Sequence, residues 1–191
     1  MVSRTKAFRR TLRSLAARAA GRRARGESGS TIVEFALIAP MFFFLMFVIA
    51  ETALVFIAEQ VMDNAVFDSA RLIRTGQAQN ADMTKEGFKT QVCNRIAIFI
   101  DCDSGDFYLD VRSFPTFADM EFGVPVDDED EYEDQGQYIA GGPDDIVVVR
   151  AYYQWPTNKI FGALSLQNLS NGKRLIGSFA AFRNEPYTGA N

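Results

Sequence analysis

Apolar residues run almost without interruption through one stretch near the N-terminus of the chain. From Phe35 to Ala50 no residue is charged, and the apolar character continues to Ala58 with two polar interruptions. A membrane-spanning helix needs about 20 such residues, and a helix satisfies its own backbone hydrogen bonds in lipid. The pattern therefore predicts a transmembrane helix over residues 30–58. Pro40 lies inside the run and removes one backbone hydrogen bond, so we expect a bend there.

Beyond this span the apolar positions keep helical spacing but occupy only one side, which is typical of a helix packed on a domain. Gly76 is a natural stop for such a helix. The pattern favours one helix from about residue 31 to about residue 75, and a span followed by a separate short helix is the alternative. The apolar stripe consists of Val55, Ala58, Val61 or Met62, Ala65, Ser69, Leu72 and Ile73.

The remaining chain changes from helical to alternating periodicity. Thr84, with Gly87 nearby, opens a second predicted helix that ends near Asp101. Alternating or β-branched runs then predict three strands, at residues 107–112, 146–155 and 175–183. The predicted fold class is α+β and pilin-like. A long N-terminal helix, membrane-spanning in its first half, packs on a small domain with a second helix and an antiparallel sheet of about three strands.

Charge divides the chain into two unequal parts. Residues 1–29 carry nine Lys and Arg against one Glu, a net charge of +8, whereas residues 30–191 carry 11 basic and 23 acidic side chains, a net charge of −12. Cytoplasmic flanks of membrane helices are rich in Lys and Arg. We therefore expect a basic cytoplasmic leader at residues 1–29 and an exported domain at residues 59–191.

Two other interpretations of the basic leader carry less weight. A mitochondrial-type transit peptide is also rich in Arg, but it need not be followed at once by a membrane span. A nucleic-acid patch would be expected to accompany interleaved aromatic residues or a folded module, whereas residues 1–29 have Phe8 as their single aromatic residue and no such module. We expect the lipid bilayer, and no nucleic acid, as a partner of this end of the chain.

Acidic residues concentrate between the first two predicted strands, in residues 119–145. A charge block of this kind usually forms a solvated loop. Its oxygen ligands could hold calcium, but their spacing does not match the twelve-residue calcium loop. We assign no metal ligand, and a calcium-binding envelope module stays as an alternative function.

Cys93 and Cys102 are the only cysteines, and eight residues separate them. Export to an oxidising compartment favours a disulfide that joins the second helix to the start of the first strand, and two buried reduced thiols are the alternative. The chain has no histidine, which excludes Ser-His-Asp catalysis and histidine-bound zinc. Phosphate-binding and nucleophile-elbow motifs are also missing from the sequence. We expect neither an enzyme nor a cofactor.

Small residues precede the apolar run, whereas an ordinary secretory signal places them after it. The sequence Gly29-Ser30-Thr31-Ile32-Val33-Glu34-Phe35 resembles the junction of class III signals, in which a prepilin peptidase cuts after the glycine and the apolar segment is retained. Glu34 would then be the fifth residue of the mature chain, and Phe35 stands where small pilins of tight-adherence systems usually carry an aromatic residue. The alternative is a signal anchor that is never cut.

Extended to Pro40, this motif is similar to the opening of the TadE-like family, the pseudopilins or minor pilins of bacterial tight-adherence (type IVc) pilus systems. The segment Arg183-Asn184-Glu185-Pro186-Tyr187 is similar to the C-terminal signature of that family, and the cysteine pair falls where such proteins often have one. The strong motifs cover about 25 residues at each end of the chain.

The resemblance implies a non-catalytic assembly factor of a surface pilus, in the bacterial inner membrane with its domain in the periplasm. The implied partners are a prepilin peptidase, other pilins or pseudopilins, a secretion ATPase and the tight-adherence membrane platform. It further implies that Glu34 pairs with the amino terminus of a neighbouring subunit, and the amino terminus of its own chain at Ser30 is the other candidate. The main rival function is an uncleaved, membrane-anchored interaction domain.

Overall fold

The computed structural model describes residues 3–120, 123, 125–134, 136–157 and 165–187, with side chains from residue 29 onwards. Residues 121, 122, 124 and 135 of the predicted acidic loop lie outside the described residues. The chain divides into two compact units, residues 1–49 and 50–191. Its elements are α1 (Ser3–Arg74), α2 (Gln77–Asn80), α3 (Lys85–Ile96), β1 (Phe107–Phe114), a 3-10 turn (Phe117–Asp119), β2 (Ile146–Pro156) and β3 (Lys173–Arg183). The α+β class and the three-stranded antiparallel sheet are confirmed.

Helix α1 is continuous from Ser3 to Arg74, so the alternative of a separate short helix after the span is wrong. It begins well before residue 31 because residues 1–29 contain no proline and are rich in Ala, Arg and Leu, which are strong helix formers. It ends where predicted, since Gly76 has a left-handed φ of 74° and its N–H donates to Ile73 O at 3.0 Å. Glycine adopts this conformation without a Cβ penalty.

The core of the second unit lies between the C-terminal part of α1, helix α3 and one face of the sheet. The predicted stripe is buried, with Met62 rather than Val61 as its fully buried member, except that Leu72 is only half-buried. Val66 and Ala70, which were not predicted, are buried on the same helix. From α3 the core receives Phe88, Val92 and Ile96. Fully buried residues pack with little free space, so this face of α1 is fixed by its neighbours. The sheet contributes Phe107, Leu109, Val111, Val147, Val149, Ala151, Tyr153, Ile176 and Ala180.

Helix α3 begins as predicted, because the Thr84 hydroxyl accepts the N–H of Gly87 at 3.1 Å. It ends at Ile96, five residues earlier than predicted. A turn takes its place, in which the N–H groups of Phe99 and Ile100 both donate to Ile96 O at 2.9 Å. Ile100 thereby turns back into the core, where it is 2% exposed. Helical spacing alone does not distinguish such a turn from a further helical turn.

The sheet has the order β1-β2-β3, and both pairs are antiparallel. The face turned away from α1 carries a second cluster around Tyr152, Leu169 and Leu175. Val126 and Tyr132, from the acidic segment, pack against this cluster. The acidic segment is therefore attached to the sheet at these residues, while the carboxylate-bearing residues 128–131, 133 and 134 are exposed.

Candidate functional site

The Gly29–Ser30 junction lies within α1, and both residues are exposed. A Cβ added at Gly29 would meet no atom within 4 Å. Nothing in the described structure therefore requires glycine at this position, and α1 continues through it. A requirement for glycine here would have to come from a second molecule that acts on the junction.

Glu34 lies one helical turn beyond Ser30, and its carboxylate reaches back to it. The Ser30 hydroxyl donates to Glu34 Oε1 at 3.2 Å, the contact that an i, i+4 spacing on a helix allows. A cut after Gly29 would create an amino group on Ser30 itself. The carboxylate thus already lies beside the residue that would carry the new positive charge.

The helix that follows this junction is apolar on every side. Apart from Val48, which is half-buried, the large apolar side chains from Ile32 to Ile49 range in exposure from 39% at Phe44 to 79% at Met41. Phe35, next to Glu34, is 67% exposed. The segment Gly29–Arg74 is long and apolar enough to cross a membrane, and its most apolar stretch is not buried within the protein. A helix that is apolar all round belongs in a protein core or in lipid, so this one fits a single-pass membrane anchor.

The cysteine prediction is confirmed in the second unit. Cys93, on α3, and Cys102, just before β1, form a disulfide with their Cα atoms 6.1 Å apart, and the alternative of two reduced thiols is wrong. The bridge closes the turn that carries Ile98, which is 89% exposed, and Phe99. It fixes the end of α3 against the start of β1.

The C-terminal residues Arg183–Tyr187, which we call the C-terminal clasp, hold the end of α1. The N–H of Glu185 donates to Arg74 O at 2.8 Å, and its carboxylate lies 3.3 Å from Arg74 Nε. The last carbonyl groups of a helix have no partner within it, and the clasp supplies one. Asn184 is 2% exposed, and its Nδ2 donates to Gly142 O at 2.8 Å.

Tyr187 explains why the clasp needs glycine at position 76. A Cβ on Gly76 would lie 2.4 Å from Tyr187 Cγ, closer than Cβ atoms approach other atoms. The Tyr187 hydroxyl also donates to Gly141 O at 3.3 Å. The motif at residues 183–187 was recognised in the sequence only by its resemblance to a family signature. Its contacts with Arg74 and Gly76 could not be predicted from residue spacing, because they join distant parts of the chain.

One carboxylate of the acidic segment accepts hydrogen bonds from the backbone of the same segment. Asp127 Oδ1 accepts the N–H groups of Glu129 at 2.9 Å and Glu131 at 2.8 Å. Burial, with the nearby charge of Asp134, raises the pKa of the Tyr132 phenol above its usual value near 10. Among the residues that the structure describes, no group of three Asp, Glu or Cys side chains is placed to hold a metal ion.

Comparison with protein families supports the resemblance seen at the junction. The model of the family described as TadE-like protein matches residues 29–71, which include the junction, the apolar run and most of the amphipathic part of α1. The resemblance to this family is confirmed over those residues. No curated protein and no solved structure matches the chain. The match suggests a role in a tight-adherence pilus system.

Proposed function

We propose that the chain is a minor pilin or pseudopilin of a tight-adherence (Flp-type) surface pilus, with no catalytic activity. The observation that carries this proposal is the family match over residues 29–71, which begins at the Gly29–Ser30 junction in front of an exposed apolar helix. The proposed orientation places the leader in the cytoplasm and residues 59–191 in the periplasm, because the leader is basic and the rest is acidic.

In this proposal a prepilin peptidase cuts after Gly29 and the mature chain starts at Ser30. Glu34 then pairs with an amino terminus, either at its own Ser30 or in an adjacent pilin. A carboxylate close to hydrocarbon is costly unless it is paired. The reach of the Glu34 carboxylate to Ser30, 3.2 Å from the hydroxyl, supports the pairing. Other pilins and the inner-membrane platform are the proposed partners in assembly.

The cleavage step is tested with Gly29→Arg, expressed together with the peptidase. We expect the wild-type chain to yield a mature form that begins at Ser30, by N-terminal sequencing and intact mass, and the variant to keep its full-length mass. Gly26→Arg, in the same leader, is the matched control and should still be cut. An uncut wild-type chain in cells with an active peptidase would instead support a membrane-anchored interaction domain.

The role of Glu34 is tested by Glu34→Ala in cells that make the pilus. We expect insertion and cleavage to stay near wild-type levels while pilus formation fails, because an unpaired charge in hydrocarbon costs several kcal/mol at each docking event. Glu34→Asp, one methylene shorter, should be intermediate. Normal pilus counts by electron microscopy in Glu34→Ala, with processed protein present, would reduce Glu34 to a charge at the end of the helix.

A further inference from the structure

The sequence just before the Gly29–Ser30 junction has the features of a helix end. Arg22, Arg23 and Arg25 are followed directly by Gly26. Basic residues in a last turn and a glycine immediately after it are typical of a helix C-terminus. The local pattern therefore contains a stop signal at Gly26, three residues before the proposed cut.

A start signal lies on the other side of the junction. Thr31 and Glu34 have the spacing of a capping box, Thr-x-x-Glu, at the beginning of the apolar run. In such a box the hydroxyl of the first residue accepts the N–H of the fourth, and the carboxylate of the fourth accepts the N–H of the first. A helix that starts at Thr31 would thus supply its own cap. The Gly29–Ser30 bond lies between the two signals.

In the structure, α1 passes through both signals without a break. In an α-helix each N–H donates to the carbonyl four residues earlier, so Ser30 N–H donates to Gly26 O and Gly29 O accepts the N–H of Val33. Both polar groups of the Gly29–Ser30 peptide bond are therefore used inside the helix. A peptidase that binds this peptide group through its own donors and acceptors has to release these two bonds first.

The residues around the bond make the helix easier to open here than upstream. Ser28, Gly29, Ser30 and Thr31 are four consecutive residues of low helix propensity. Residues 16–25 consist of Ala and Arg with one glycine, and alanine and arginine are among the best helix formers. An opening of α1 is thus favoured at the junction over the stretch that precedes it.

We propose that α1 interconverts between the continuous helix and an opened form, which ends at Gly26 and restarts at Thr31, and that the peptidase cuts the opened form. This inference rests on the proposed cut after Gly29. Opening also changes the partner of Glu34. Its carboxylate gives up the hydroxyl of Ser30, which it accepts at 3.2 Å in the structure, and accepts the N–H of Thr31 in the capping box.

The opened fraction then sets the rate of the cut. When only a fraction of the molecules can bind, the apparent affinity falls by that fraction. Below saturation the cleavage rate is therefore proportional to the opened fraction. The cut itself adds one water across the Gly29–Ser30 bond, and it leaves a carboxylate on Gly29 and an amino group on Ser30.

The start signal is tested at Thr31, in the full chain in lipid nanodiscs mixed with prepilin peptidase below saturation. Loss of the full-length mass is followed with time. Thr31→Val has a similar shape and helix propensity but lacks the capping hydroxyl, and it should be cut about fivefold more slowly, the typical effect of one lost cap. Thr31→Ser keeps the hydroxyl and should stay within about twofold of the wild-type rate.

The stop signal is tested with two glycine substitutions. Gly26→Ala favours the continuous helix and should slow the cut about fivefold, the typical difference between glycine and alanine in a helix. Gly21→Ala is the matched control, because residue 21 is helical in both forms, and it should leave the rate unchanged. Gly26→Arg should be cut slowly but to completion, since a stronger helix delays the cut without preventing it.

Hydrogen exchange of the uncut chain, without peptidase, measures the opening directly. The amides of Ser30 and Ile32 lose their helical acceptors in the opened form and should exchange faster than the amides of residues 18–24. Thr31→Val and Gly26→Ala should slow this exchange by the same factor as they slow the cut. A slower cut with unchanged exchange would mean that the peptidase recognises these side chains directly, and it would overturn the inference.

Equal cleavage rates in the wild type, Thr31→Val and Gly26→Ala would also overturn the inference, while the cut after Gly29 would stand. A wild-type chain that active peptidase never cuts would overturn the proposed function as well. The failure of the opening and the failure of the cut are therefore distinguishable.

Discussion

The two parts of α1 that lie in separate units use apolar residues in opposite ways. Phe43, in the first unit, and Phe67, in the second, have similar exposures of 50% and 59%. The neighbours of Phe43 along the chain are apolar, whereas Phe67 is followed directly by Asp68 and lies one helical turn from Asp63 and Arg71. Exposure alone therefore does not identify the medium around a side chain. The surrounding pattern does, because an all-round apolar surface suits lipid and a single stripe suits a domain.

The same contrast holds for methionine. Met41 is 79% exposed in the first unit, and Met62 is fully buried between α1 and the domain core. Hydrocarbon and a protein core are both apolar, but only the core is packed against fixed neighbours. The contrast predicts that truncating these two side chains will have very different effects on the folding of the domain.

Of the changes considered, Met62→Ala is expected to have the largest effect on the stability of the domain. Removing this side chain leaves a cavity, and we expect a loss of about 2–5 kcal/mol in the free energy of unfolding of the domain. Met41→Ala should change it by less than about 0.5 kcal/mol. Trp155, the only tryptophan, lies in β2 and reports unfolding of the domain by fluorescence. Equal losses in the two variants would contradict the division of α1.

An intermediate effect is expected when arginine replaces the two similarly exposed phenylalanines. Phe43→Arg should disfavour membrane insertion by about 3 kcal/mol, the cost of arginine near the centre of a spanning helix. Phe67→Arg should insert normally, because its surroundings are already polar. The inserted fraction is measured by protease protection of residues 59–191. Normal insertion of Phe43→Arg would place the spanning segment elsewhere.

The smallest effect concerns the ionisation of a tyrosine with pH. Helix α1 has no ionisable side chain from Phe35 to Ala50, whereas the domain holds the partly buried phenol of Tyr132. The pKa of Tyr132 is raised above its usual value near 10 by burial and by Asp134. Its neutral form is thus favoured in the folded state. This contribution to stability is fully present below pH 10 and is lost as the pH rises through the raised pKa.

Tyr132→Phe, which cannot ionise, should therefore lose less stability than the wild type between pH 10 and pH 11.5. We expect the difference to stay below about 1 kcal/mol, because solvent reaches part of the ring and screens the charge. Thermal melts followed by circular dichroism measure it. Parallel pH profiles for the two proteins would mean that Tyr132 ionises without leaving its contacts with the sheet.

Several elements could be predicted from local sequence because their causes are local. The apolar run, the stop at Gly76 and the Thr84 cap each depend on a few adjacent residues. The strands follow from alternation or from runs rich in β-branched and aromatic residues, and the cysteine pair from its predicted compartment. The early end of α3 was missed, because a turn that returns Ile100 to the core has the same local spacing of apolar residues as a helix. The short helix α2 was not predicted either.

The junction residues Gly29, Ser30 and Glu34 were recognised because their motif is contiguous, and their roles stay predictions. The C-terminal clasp had a matching motif but no assigned contact. Its partners, Arg74 and Gly76, lie far from it in sequence, and only the packed domain brings them within hydrogen-bonding distance. The packing of Tyr132 on the sheet was also not predicted, because the acidic residues around it indicated a solvated loop.

The sequence by itself determined the long apolar helix, the amphipathic stripe, the strands and the charge asymmetry, because periodicity and composition act over short stretches of chain. Only the tertiary structure decided how the β1 edge of the sheet is covered. Gln137 and Ile139 reach Val111 across the fold. The physical reason is that backbone hydrogen bonds between distant segments depend on how the chain returns on itself, and no local pattern of side chains encodes that path.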